Sequence, residues 1–111
     1  MKFMYGAKFT ITSWMGEETH VFAGANAKEI LAQLNEVQSL ECLARMGAKH
    51  ETDSQGKANI VMLEKLLDKY YSDTLIMDDI AMMAVCLSIG TIKCHQVVEG
   101  EDAVRRLQDH K

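Results

Sequence analysis

The adjacent pair Cys94-His95 is the arrangement in this sequence best suited to nucleophilic chemistry, since a thiol next to an imidazole can be activated by it. The surrounding residues TIKCHQVV are rich in β-branched types and predict a strand over 91–98. Neighbouring side chains on a strand point to opposite faces, so this thiol and this imidazole are not expected to share a hydrogen bond. No third residue to orient the imidazole is evident, and the pair reads as structural. Glu18 and His20, two residues apart, would share a strand face, and a carboxylate beside an imidazole can move protons or hold a metal. Two ligands without a third carry little weight, and the pair is expected to sit in water near a turn. Asp78-Asp79 resembles a pair of metal carboxylates, but anions at that position are accounted for by the positive end of a helix dipole. The seven glycines are scattered, and neither G-x-G nor G-K-[ST] occurs, so no phosphate loop is predicted.

The three cysteines, Cys42, Cys86 and Cys94, are odd in number and contain no C-x-x-C pair, which suggests neither a disulfide framework nor a zinc knuckle. Their apolar neighbours favour buried, reduced thiols. No cofactor, metal or catalytic residue is expected. A net charge of −4 disfavours non-specific binding to nucleic acid or to an anionic membrane. Arg105, Arg106, His110 and Lys111 follow Glu99, Glu101 and Asp102, so the end of the sequence has no net basic patch. The longest uncharged run, 80–92, has thirteen residues, too few to cross a bilayer, which takes about 20. No secretory signal pattern is visible, and the expected location is the cytoplasm.

The elements that must position these residues follow from periodicity. In 3–11 the odd positions Phe3, Tyr5, Ala7, Phe9 and Ile11 alternate with Met4, Gly6, Lys8 and Thr10, the pattern of a half-buried antiparallel strand. A turn over 15–18 and a return strand over 19–23 complete a β-hairpin. Asn26 with Glu29 makes a capping-box pattern, and Ile30, Leu34, Val37, Leu40 and Ala44 continue a helix that Gly47 closes. The polar stretch 49–57 reads as a surface loop. Asn59 caps a second helix, with Leu63, Leu66, Leu67, Tyr70 and either Ile60 or Val61 inward, which Ser72-Asp73-Thr74 breaks. Residues 75–77 are either a short strand or the lead-in to the next helix.

Segment 78–90, DDIAMMAVCLSIG, is a helix with anionic residues at its start and a glycine at its end. Only Ser88 is polar between them, so it is expected to have no face fit for water. The predicted strand 91–98 pairs with the first strand, and a short helix over 101–110 places Ala103, Val104 and Leu107 inward. The 111 residues fit a single α+β domain, a small antiparallel sheet of a hairpin plus a third strand packed against about four helices.

Chemistry being absent, the remaining capacity is for partners. Trp14 is expected on the strand face opposite Phe9, beside the turn carrying Glu17 and Glu18. Tyr70 and Tyr71 lie about 100° apart on their helix, so at least one stands at the edge of the buried stripe. Trp and Tyr are frequent interface anchors, and Met82 and Met83 add adaptable apolar surface. The expected partner-binding residues are therefore Trp14, Glu17, Glu18, Tyr70, Tyr71, Met82 and Met83. A homodimer is expected, burying Met82 or Met83 with part of the second helix. The expected function is a non-enzymatic, protein-binding regulatory or inhibitory module. Small acidic chains without motifs include the accessory proteins that phages and plasmids direct against host defence systems. The alternative is a small enzyme or ligand-binding domain with a pocket between sheet and helices, lined by residues such as Tyr5, His20 and Cys94.

Overall fold

The computed structural model describes residues 4–13, 15–50, 53–86, 88–89 and 92–109, with the backbone alone at 13, 84–86 and 88–89. Strand β1 (Tyr5–Ser13) realises the alternation of its sequence: Ala7, Phe9 and Ile11 are buried on one face. It pairs antiparallel with β2 (Gly16–Gly24), Ser13 opposite Gly16 and Tyr5 opposite Gly24. Gly16 has φ +119°, a conformation L side chains rarely adopt, and this tight reversal starts β2 earlier than the sequence implies. Glu17 and Glu18 therefore belong to the strand, opposite Thr12 and Ile11, and not to a turn.

The other edge of β1 takes β4 (Ile92–Glu99), again antiparallel, as the sequence predicts for the last long strand. A two-residue strand, β3 (Ser88–Ile89), adds a fourth member and gives the order β2-β1-β4-β3. The register shifts between Lys8 and Phe9: Lys8 faces Gln96 and Phe9 faces Cys94, leaving His95 as an extra residue. The bulge moves the inward positions of β4 from Ile92 and Cys94 to Val97, a spacing of three where alternation would give two.

Helix α1 (Ala27–Val37) lies against β1 and β2. The Asn26 side chain accepts a hydrogen bond from the Glu29 amide at 3.0 Å, and the Glu29 carboxylate accepts from the Ala25 amide at 2.6 Å, one residue before the usual capping-box partner. The helix stops earlier than expected. Asn35 Oδ1 accepts from the Leu40 amide, Ser39 Oγ accepts from the Cys42 amide, and Gln38 is extended. These side chains compete with the helical backbone and split the expected helix in two. Val37, assigned inward by the unbroken periodicity, is consequently exposed, while Leu40, Leu43 and Ala44 of α2 (Leu40–His50) are buried.

The polar stretch expected to be a loop contains the start of α3 (Ser54–Tyr71). Asp53 caps it by accepting from the Gly56 amide at 2.6 Å, so a solvated first turn precedes the apolar periodicity. Asn59 is a buried helical residue bonded to Gln55, and Ile60, not Val61, faces inward. At the other end the Asp73 amide bonds the Tyr70 carbonyl and the Thr74 amide bonds the Lys69 carbonyl. This is a Schellman closure with Asp73, at φ 59°, in the position glycine usually takes.

Residues 74–76 lead into α4 (Met77–Cys86) without forming a strand. Ile80 and Met83 are fully buried against the sheet, but Ala81 is exposed and Met82 is 49% exposed. The expectation of a helix without a solvent face fails here, because α4 packs on β4 and α1 and leaves the side carrying Ala81 and Met82 open. Gly90 lies outside the described residues. Gly100, at φ +101°, turns the chain into α5 (Glu101–Asp109), whose Val104 and Leu107 pack over Gly6 and Val98 on the face of the sheet opposite the core. The described residues thus form five helices and four strands, an α+β fold whose main core lies between the sheet's inner face and α1–α4. Among them, no helix is long and apolar enough to cross a membrane.

Candidate functional site

Cys94 and His95 point to opposite sides of β4. Cys94 is buried in the core, and burial pushes its thiol up to about 11 despite an opposing backbone hydrogen bond at Gln96. Such a thiol is protonated at neutral pH and is a poor nucleophile. The His95 ring is exposed on the outer face, with Nε2 2.6 Å from Thr10 Oγ1.

Glu18 and His20 do share a face, 3.3 Å apart. Their face is the inner one, since His20 stands opposite Phe9 and its ring stacks on Phe22 at 5.7 Å. His20 Nε2 is buried without an aligned hydrogen bond, while Glu18 projects into solvent. Asp79 is occupied structurally: its carboxylate accepts from the Ile76 amide at 3.0 Å and from Lys69 Nζ at 2.7 Å. Burial pushes this carboxyl upward, but the Lys69 hydrogen bond, the Ile76 amide and the Lys69 charge outweigh it and hold the group below the ordinary aspartate value. Among the described residues, no group of three or more His, Cys, Asp or Glu is placed to hold a metal ion.

The tyrosines stand at a more open place. Tyr70 is half-buried against the core, with Lys28 Nζ 5.4 Å from its ring centre. Lys28 also pairs with Asp73, the residue of the helix closure, which ties the end of α3 to the start of α1. Tyr71 packs edge-on against Tyr70 at 5.3 Å and is 59% exposed. Its ring stands at a groove of about 770 Å³ between α2 and α3. Ala44, Ala48 and Leu67 form the apolar lining; Glu41, Arg45 and Lys49 line the α2 side and Glu64 and Asp68 the α3 side. A missed signal pointed to this groove: 41, 45 and 49 on one helix and 64, 68 and 71 on the next recur at three- and four-residue spacing.

The remaining expected contact residues do not gather there. Glu17 lies seven residues along β2 from Gly24, or about 23 Å by strand rise, and α1 with Lys28 begins beyond Gly24. The two glutamates and the two tyrosines thus mark opposite ends of the sheet. Met82 borders a separate cleft of about 110 Å³ with Met62, Leu66 and Lys69, whereas Met83 is wholly buried as a core residue. Trp14, His110, Lys111 and the Cys86 side chain lie outside the described residues. Tyr5, His20 and Cys94 line neither the α2–α3 groove, nor the cleft at Met82, nor a third cleft beside α5: Tyr5 is four residues along β1 from Phe9, the partner of His20, and Cys94 is sealed in the core. No protein-family model matches the chain, and neither a curated protein nor a solved structure matches it.

Proposed function

We propose that this protein acts by binding another protein, as a regulatory or inhibitory module without catalysis of its own, through the groove between α2 and α3. The observation that carries the reading is the groove's construction: an apolar floor, two cations with Glu41 along α2, two carboxylates along α3, and an exposed tyrosine ring beside them. Such a surface suits an amphipathic helix that lays its apolar stripe on Ala44, Ala48 and Leu67. Its acidic edge would face Arg45 and Lys49, and its basic edge Glu64 and Asp68. Tyr71 supplies a large, nearly rigid contact surface, because Tyr70 and the closure at Asp73 fix its backbone. Affinity capture from the native host, with Tyr71→Ala and Arg45→Glu beside the unaltered chain, tests this. A protein held by the unaltered chain and by Thr12→Ala, but lost in both groove variants, is the expected result. Retention of every captured protein by both groove variants would refute it.

Self-association is a second reading, carried by the half-exposed Met82 beside Met62 and Leu66. Two such patches meeting about a two-fold axis would cover each other. Sedimentation equilibrium at micromolar concentration is expected to show a dimer that Met82→Glu dissociates. A single 12.5 kDa species for the unaltered chain excludes it.

A further inference from the structure

The outer face of the sheet carries an arrangement that neither the core nor the groove explains. Lys8 stands opposite Gln96 and Thr10 opposite Lys93, all four on the side away from Phe9. The bulge places His95 outward as well, beside Thr10, so β4 directs two consecutive polar side chains to this face. Bulges commonly serve to re-aim a side chain in this way. Helix α5 packs over Gly6 and Val98, and beside it opens a cleft of about 240 Å³. The cleft is lined by Lys8, Gln96, Val98, Ala103, Arg106 and Leu107, with no carboxylate among them.

Its two cations come from different elements. Lys8 belongs to the central strand and is half-buried, and Arg106 belongs to the last turn of α5. Among the described residues Lys8, Lys93 and Arg106 make no ion pair, although the chain as a whole carries a net charge of −4. Two cations lining one cleft with no carboxylate among its walls raise the local potential and concentrate anions there.

We propose that this cleft binds a small phosphate-ester anion. Arg106 offers a forked guanidinium suited to two phosphoryl oxygens, Lys8 a point charge from the floor, and Gln96 an amide donor. Two cations in the cleft, with Lys93 farther along the face, match a dianion better than a single carboxylate. The outward side chains of β1 and β4 named here include no Trp, Tyr or Phe on which bases would stack, and the cleft is small, so a nucleic-acid strand is not its occupant.

Calorimetric titration of the full chain with inorganic pyrophosphate at low ionic strength tests the assignment. One saturable site is expected, weakened about tenfold or more by Arg106→Gln or Lys8→Met, unchanged by Arg45→Gln in the α2–α3 groove, and weaker as salt is raised. Arg106 lies on an exposed helical face, so its variant reports on the site even if Lys8→Met disturbs the sheet. Amide NMR shifts centred on Lys8, Gln96 and Arg106 would support the same site. Absence of saturable binding at millimolar pyrophosphate, equal affinity in a folded Arg106→Gln protein, or acetate binding as tightly as pyrophosphate would overturn it. So would a single-stranded oligonucleotide that binds more tightly than pyrophosphate and is lost in the same variants.

Discussion

On the inner face of the sheet, Ala7 and Phe9 are completely shielded from water and join Ile80 and Met83 of α4 in one apolar cluster. One residue along in each case, on the outer face, Lys8 and Thr10 are only half-covered, and Gly6 is pressed beneath α5. A single strand thus serves two environments. The inner face is closed by four helices and holds most of the apolar area. The outer face carries one short helix and leaves its polar side chains free to meet solutes. Buried apolar and solvent-facing polar positions are segregated by the two-residue period of β1, so a substitution on one face is expected to leave the other largely undisturbed.

The contrast breaks most sharply at Phe9. Phe9→Ala is expected to cost about 3–5 kcal/mol in denaturant unfolding, through lost burial and a residual cavity. Leu107→Ala tests the thin cover of the outer face. It is expected to cost about 2 kcal/mol, and hydrogen exchange should show α5 opening while α1 and β1 stay protected. Equal loss of protection throughout would mean that the two faces are not separable.

Asp79→Asn removes the charge that caps α4 and pairs with Lys69, and is expected to lower stability by about 1 kcal/mol. Because the folded carboxyl titrates below the ordinary aspartate value of about 3.9, its contribution is complete above that range and lost as pH falls. The variant should therefore approach the unaltered chain in acid, as read by melting temperature against pH. Thr10→Ala, next to Phe9 but facing outward, is expected to change stability by under about 0.5 kcal/mol. The mildest probe is chemical. Alkylation of the native protein near neutral pH should label exposed Cys42 and spare Cys94, whose thiol is held protonated in the core. Peptide mass spectrometry reads both sites, and labelling of Cys94 without unfolding would show that the inner face is open.

The alternation of β1 and its pairing with the last long strand were legible because a half-buried central strand leaves a period-two trace. What escaped was set by side chains that redirect the backbone. Asn35 and Ser39 interrupt a helix whose apolar period runs straight through them, and Asp53 starts α3 within a segment that has no apolar residue to announce it. The bulge at His95 did leave a trace, since Cys94 and Val97 are three apart, but β-branched composition alone hides it. Of the candidate contact residues on α4, Met82 is half-exposed and Met83 is buried, a distinction set by how α4 rotates on β4. Composition cannot fix that rotation. The spacing of 41, 45, 49 and of 64, 68, 71 marks the facing sides of α2 and α3 but not their separation, and the cleft beside α5 depends on how that helix packs on the sheet, which no local pattern encodes.

The place of β1 between β2 and β4 also governs how the molecule is assembled in time. Thr10 and His95, joined across the sheet, are 85 residues apart in the chain. The hairpin and the first four helices can form early, but the central strand keeps one edge unsatisfied until nearly the whole sequence is present. Closing that long loop costs chain entropy before it returns any contact, which places folding on the slower side for a domain of this size. With no proline in the sequence, no prolyl isomerisation contributes a slow phase. During that interval the open edge of β1 is the row of backbone groups most exposed to pairing with a neighbouring chain.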